Sequence, residues 1–225
     1  MKTIKLYFVR HGETYFNQLG RFQGWSGTPL TERGIREAEH AGHLLKEIEF
    51  AAAYSSDTSR AEQTGQLILQ QNRAAARPEL VVLPELREHF YGGFEGCCKR
   101  EVWQQIRNKL GIDGGELQWD YTPDDVQNLL HENDPDQLAE TSAQFWERYE
   151  RGLRQIGDQT PADGNALVIT HSTVLRALVW RMTGQVPVPS IPSTGSVTIV
   201  SRTGTQMVLL AYNQTGISEN RQTEQ

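Results

Sequence analysis

The chain has 225 residues, 37% of them hydrophobic and 22% charged, and a formal net charge of −6. That length suits one large domain with a substantial core, and an acidic balance without a long Lys/Arg cluster excludes a surface built for nucleic acid or an anionic membrane. No apolar run reaches the length of a membrane span, and the start MKTIKLYFVR breaks at Arg10 without a signal-peptide pattern, so a cytoplasmic protein is expected.

Ile4 to Val9 is a short β-branched and aromatic run that fits a buried strand, and it delivers Arg10-His11-Gly12-Glu13-Thr14 at its carboxyl end. Open α/β sheets hold their ligands at such ends. Residues 13 to 30 carry Gly20, Gly24, Gly27 and Pro29 and read as a loop lying over the strand end. Thr31 is suited to cap a helix whose inner positions are Ile35, Ala38, Ala41, Leu45 and Ile48. Phe50 to Ser55 is a second strand, after which Ser56 caps a helix to about Gln71 with Ala61, Thr64, Leu67 and Ile68 on one face. Arg60 falls in the first turn of that helix, where a cation opposes the helix dipole and a bound anion would remove the conflict.

Leu80 to Leu83 makes a third strand, and the glycines between Glu85 and Gly96 indicate a loop. The only cysteines, Cys97 and Cys98, are adjacent and are expected to be free thiols in a reducing compartment. From Lys99 to about Arg154 the pattern is helical but irregular, with Trp103, Trp119, Phe145 and Trp146 as core bulk; it reads as a helical insertion or lid beside the sheet. Ala166 to Thr170 is a strand that delivers His171-Ser172 as the first delivers Arg10-His11. A helix from about Thr173 to Met182 follows, closed by Gly184, and Ser196 to Ser201 with Gln206 to Tyr212 form a terminal hairpin. Strands alternating with helices predict a three-layer α/β/α sandwich around a mostly parallel sheet. A single domain over residues 1–213 is expected, with 99–154 as its insertion and 214–225 as a polar, mobile tail.

If the strand ends converge, Arg10, His11, Arg60, Glu88 and His171 bring two guanidinium forks, two imidazoles and one carboxyl group together. Guanidinium forks match phosphate oxygens and stabilise the charge of a transferring phosphoryl group. A neutral His11 offers one ring nitrogen as nucleophile while a backbone carbonyl holds the other. Glu88 would protonate the departing alkoxide and then take a proton from the attacking water. No metal and no cofactor is required.

The ordered set RHGETYFN, GRFQGWSGTPLTERG, SDTSRAEQT, REHFYGGFEG and VITHSTVLRAL, running from about Leu6 to Leu178, resembles the histidine phosphatase superfamily, also called phosphoglycerate mutase-like. The resemblance implies that His11 is the phosphorylated nucleophile, that Arg10, Arg60 and His171 form the phosphate pocket, and that Glu88 is the proton donor. It further implies that Asn17, Gln23 and Gly24 line the phosphate site. Ser172 stands where the family usually has glycine, so it narrows the pocket or adds a hydroxyl donor. The GGFEG loop resembles the phosphatase branch, which implies a phosphorylated small metabolite as partner; a homo-oligomer is left open.

Plainer readings exist for each residue. Arg10 and Arg60 could pair with Asp57 or Glu13, His171 could be a satisfied core histidine, and Asn17, Gln23 and Gly24 could be ordinary loop residues. Glu13 is the better loop anchor and Glu95 the better helix cap than either is an acid, while His89 is a substrate contact or a solvated loop residue. Two alternative functions stand beside the phosphatase: a phosphoglycerate mutase, for which Lys99 and Arg100 could hold a substrate carboxylate, and a non-catalytic phosphate-binding module.

Overall fold

The computed structural model describes residues 2–112 and 121–216. Among these, β1 (Thr3–Arg10), β2 (Phe50–Ser55), β3 (Leu80–Val82), β4 (Asn165–Thr170), β5 (Val197–Thr203) and β6 (Gln206–Gln214) form one sheet in the order β3-β2-β4-β1-β5-β6. The first four run parallel, whereas β5 is antiparallel to β1 and makes the expected hairpin with β6. Trp119 and residues 217–225 of the expected tail lie outside the described residues.

Alternation along the strands sorts the core onto two faces. Leu6 and Phe8 of β1 and Ala166 and Val168 of β4 pack against α6 (Ser142–Gln159) and α7 (Ser172–Thr183) through Phe145, Tyr149, Ile156, Leu175 and Leu178. Tyr7, Val9, Leu167 and Ile169 point the other way, onto Ala41 and Leu45 of the α2 (Glu32–Leu44) segment and Ala61 and Ile68 of α3 (Ser59–Gln71). Helices on both faces of a sheet make the expected sandwich. Each large apolar side chain fully buried this way stabilises the fold by roughly 1.5–3 kcal/mol.

The 99–154 stretch divides between two cores. Helices α4 (Lys99–Leu110) and α5 (Pro123–Asn133) build a satellite cluster from Val102, Trp103, Ile106, Val126 and Leu130, joined by Phe22, Tyr91 and Phe94. Helix α6, capped by a Thr141–Gln144 capping box, belongs instead to the layer on the sheet. The loop between residues 13 and 30 also holds a short helix, α1 (Tyr15–Gln18), capped by Thr14.

Local signals placed most helix ends. Thr31 caps α2 by accepting the Gly34 N–H, and Gly184, at φ 70°, closes α7. Ser56 departs from expectation: α3 begins at Ser59 with Thr58 in the cap position, because the Ser56 hydroxyl is engaged by Thr58 Oγ1 (3.0 Å) and His171 Nε2 (3.0 Å).

Candidate active site

Sheet register sets the site. Arg10 lies level with Thr170 across β1 and β4, and Ser55 of β2 lies level with Ile169. The next residue of each strand, His11, His171 and Ser56, therefore leaves the sheet at the same edge, the carboxyl edge where such sheets hold ligands. The two imidazole rings stand 5.3 Å apart between centroids.

Gly12 lets the chain turn beside α2 so closely that a Cβ there would lie 2.1 Å from the Gly34 carbonyl oxygen. The resulting turn brings the Gly12 carbonyl within 2.8 Å of His11 Nδ1, which donates to it and leaves Nε2 without a hydrogen-bond partner among the described residues. Burial first, then the Arg60 and Arg10 guanidiniums, hold the His11 imidazole well below the ordinary histidine range. His11 is thus neutral at neutral pH, with Nε2 carrying a lone pair. His171 is held low by burial and Arg60 as well; its Nδ1 accepts from Arg60 Nη2 at 3.2 Å and its Nε2–H donates to Ser56.

Neither arginine takes the carboxylate partners that a plain ion pair would require. Asp57 pairs with Arg87, and Glu13 pairs with Arg33 while its Oε1 accepts from Thr31 Oγ1 at 2.9 Å, as a loop anchor should. Arg60 donates Nη1 to the Ser26 carbonyl (3.0 Å) and Nη2 to the Gly24 carbonyl (2.7 Å); burial pulls its pKa down to about 10. Arg10 donates Nη1 to the Pro192 carbonyl at 2.6 Å. The Nε–H of Arg10, the Nε–H of Arg60 and the amide Nε2 of Gln23 are buried donors with no partner among the described residues. Buried donors without partners are costly, and an anion would satisfy them.

The remaining residues implied by the resemblance divide. Gln23 accepts from Thr14 Oγ1 at 2.6 Å, which leaves its amide nitrogen free. Asn17 gives its Oδ1 to the Thr14 capping box, which leaves its Nδ2 amide as a donor, and Gly24 spends its N–H on Glu95 Oε2 (3.0 Å) and its carbonyl on Arg60. Glu95 is a loop clamp instead of a helix cap: it also accepts from the N–H groups of Trp25 and Tyr91 and from the Ser26 hydroxyl. A Cβ on Gly24 would fall 2.0 Å from the His89 carbonyl oxygen, so glycine is needed for this approach.

Glu88 is 3% exposed and accepts from the N–H groups of His89 (3.0 Å), Thr173 (3.0 Å) and Val174 (3.2 Å), the last two in the first turn of α7. His89 is buried, bonded through Nδ1 to Gln127 and 3.9 Å from the Phe145 ring, and so is neither solvated nor facing a substrate. Ser172 opens α7 and lines a cavity of about 510 Å³ beside the site, together with Tyr91, Lys99, Arg100, Trp103 and Arg176.

Sequence reading did not find Tyr91, whose hydroxyl lies 2.9 Å from Thr173 Oγ1, or Ser56 as the partner of His171. Neither sits in a pattern that a single chain displays; both are identified by which loops meet.

The family model described as histidine phosphatase superfamily (branch 1) matches residues 6–215. A "2,3-bisphosphoglycerate-dependent phosphoglycerate mutase 2" of Gloeobacter violaceus is 41% identical over 181 residues, 79% of this chain and 74% of that protein. An "adenosylcobalamin/alpha-ribazole phosphatase" of Escherichia coli K12 is 29% identical over 181 residues, 80% of each chain. Among solved structures, a phosphoglycerate mutase from Bacillus anthracis superposes with a TM-score of 0.86 at 28% identity, covering 96% of this chain and 95% of the other.

Proposed function

The chain belongs to the histidine phosphatase superfamily, branch 1, and from that membership we propose that it hydrolyses phosphomonoesters of small metabolites through a phosphohistidine on His11. One observation carries the reading: His11 is neutral, its Nδ1 is held by the Gly12 carbonyl, and its Nε2 shares the pocket with buried guanidinium donors, none of them partnered among the described residues. Nε2 attacks phosphorus as the ester P–O bond breaks, while Arg10 and Arg60 stabilise the charge on the transferring oxygens. Glu88 gives its proton to the leaving alkoxide. Water then attacks the phosphohistidine, passes a proton to the Glu88 carboxylate and releases inorganic phosphate, which restores His11.

A second reading is favoured by Lys99 and Arg100, which line the adjoining cavity and suit a second anionic group on the substrate. In a phosphoglycerate mutase the same phosphohistidine returns its phosphoryl group to a bound acceptor instead of to water. The test is mass spectrometry of the protein and of His11→Ala after mixing with a panel of phosphorylated metabolites, with released phosphate assayed in parallel. An adduct on His11 with phosphate release is expected, and His11→Ala should show neither. An adduct without release would favour the mutase; an adduct or turnover surviving in His11→Ala would remove His11 from the nucleophile role.

A further inference from the structure

The turn that carries Glu88 is held from behind by a buried ion pair outside the phosphate pocket. Arg148 of α6 and Glu140 expose only 11% and 10% of their side chains, and Arg148 Nη2 lies 2.6 Å from Glu140 Oε1. All five N–H groups of this guanidinium are used: Nε and one Nη2 hydrogen go to Glu140, Nη1 to the carbonyls of Glu85 (2.8 Å) and Arg87 (3.1 Å), and the other Nη2 hydrogen to the carbonyl of Glu88 (3.2 Å). Glu140 completes the clamp by accepting the Phe90 N–H at 2.9 Å. A second donor, Trp25 Nε1–H, reaches the Glu88 carbonyl at 3.1 Å, with its indole against Phe90.

The main chain up to Glu88 is thus pinned to Arg148 of α6 and Phe90 beyond it to Glu140, while the carboxylate is pinned to the first turn of α7. Both helices pack on the same face of the sheet whose edge carries His11 and His171. A surface ion pair needs one partner and orders nothing else. Here a planar fork spans three carbonyls and a carboxylate, a geometry that a point-charge ammonium cannot reproduce. A proton transfer depends on holding its donor within a few tenths of an ångström, and support behind the donor sets that tolerance.

We propose that Arg148, locked by Glu140, is a positioning residue for proton transfer at Glu88. This rests on the reading of Glu88 as the acid and base. The experiment compares wild type, Arg148→Lys, Glu88→Gln and the double variant on an alkyl phosphate, whose leaving group needs a proton, and on p-nitrophenyl phosphate, whose leaving group does not. Arg148→Lys keeps a cation beside Glu140 but loses the fork. It is expected to lower kcat on the alkyl ester about 10-fold or more while changing the aryl ester less than about 3-fold and leaving KM nearly constant. In the Glu88→Gln background it should add no further loss, since Arg148 acts through Glu88. Trp25→Phe, which removes the other donor to the Glu88 carbonyl, should move the alkyl-to-aryl ratio in the same direction, and it carries the test should Arg148→Lys fold poorly. Equal losses on both esters, or a full additional loss in the Glu88→Gln background, would overturn the proposal while leaving the role of Glu88 intact. A Glu88→Gln variant with an unchanged ester ratio would instead remove Glu88 as the acid, and the positioning role with it.

Discussion

Acidification should destabilise this protein through its two buried site histidines before its carboxylates matter. Burial and Arg60 hold both His11 and His171 well below the ordinary histidine range. The unfolded chain therefore binds protons on both imidazoles as pH falls through 6.5 while the folded chain does not, and stability, which rises with pH in this window, is lost on acidification. Between pH 7.5 and 5.5 each histidine that stays neutral when folded costs on the order of 1 kcal/mol, so the pair costs roughly 2–3 kcal/mol. Asp57, held low by its hydrogen bond to Arg87, contributes stability that is lost only below 3.8 and stays outside this window. The assay is equilibrium urea unfolding at the two pH values for wild type and His171→Gln, which removes one titrating group but keeps an acceptor for Arg60. The loss in the variant should be smaller by on the order of 1 kcal/mol. Identical pH losses in the two proteins would refute the claim that His171 is buried neutral and unable to take up a proton.

Two further changes test the scaffold of the site. Gly12→Ala puts a Cβ 2.1 Å from the Gly34 carbonyl oxygen, backbone against backbone; a loss of about 3 kcal/mol should appear as a lowered Tm together with weakened turnover, and an unchanged Tm would show that the turn has room to shift. Glu95→Gln leaves the N–H groups of Gly24, Trp25 and Tyr91 facing a weaker acceptor or an amide NH₂. It should cost about 2 kcal/mol and reduce activity through Arg60, whose two Nη groups rest on the same loop. Thermal unfolding and turnover measured side by side check this, and full activity at normal Tm would deny Glu95 its part as loop clamp.

Periodicity and capping chemistry are local, and they were legible without a structure. Apolar runs within Ile4 to Val9 and Ala166 to Thr170 marked the central strands, Thr31 and Gly184 marked helix ends, and an arginine in the first turn of α3 pointed to an anion. The same information could not separate competing partners. Ser56 has the side chain of a helix cap, yet its hydroxyl serves His171, because β2 and β4 end within one residue of each other and bring them within 3.0 Å. Likewise Glu95 reads as a cap in the chain and is a clamp on residues 24–26 in the fold, and His89, next to Glu88 in sequence, turns inward onto Phe145.

By itself, then, the sequence determined the sheet strands, the larger helices that cover them and which side chains could handle a phosphoryl group, since these follow from residue type and spacing within one segment. The tertiary structure alone decided that Arg10 and Arg60 take carbonyls and leave Asp57 and Glu13 to other arginines, that Asn17 Oδ1 caps the short α1 helix and Gly24 bonds Glu95 and Arg60, and that Arg148 of α6 stands behind Glu88. Hydrogen-bond assignments among residues as far apart as 60 or more positions depend on sheet register and helix packing, and these are properties of the whole chain once its apolar faces are buried together.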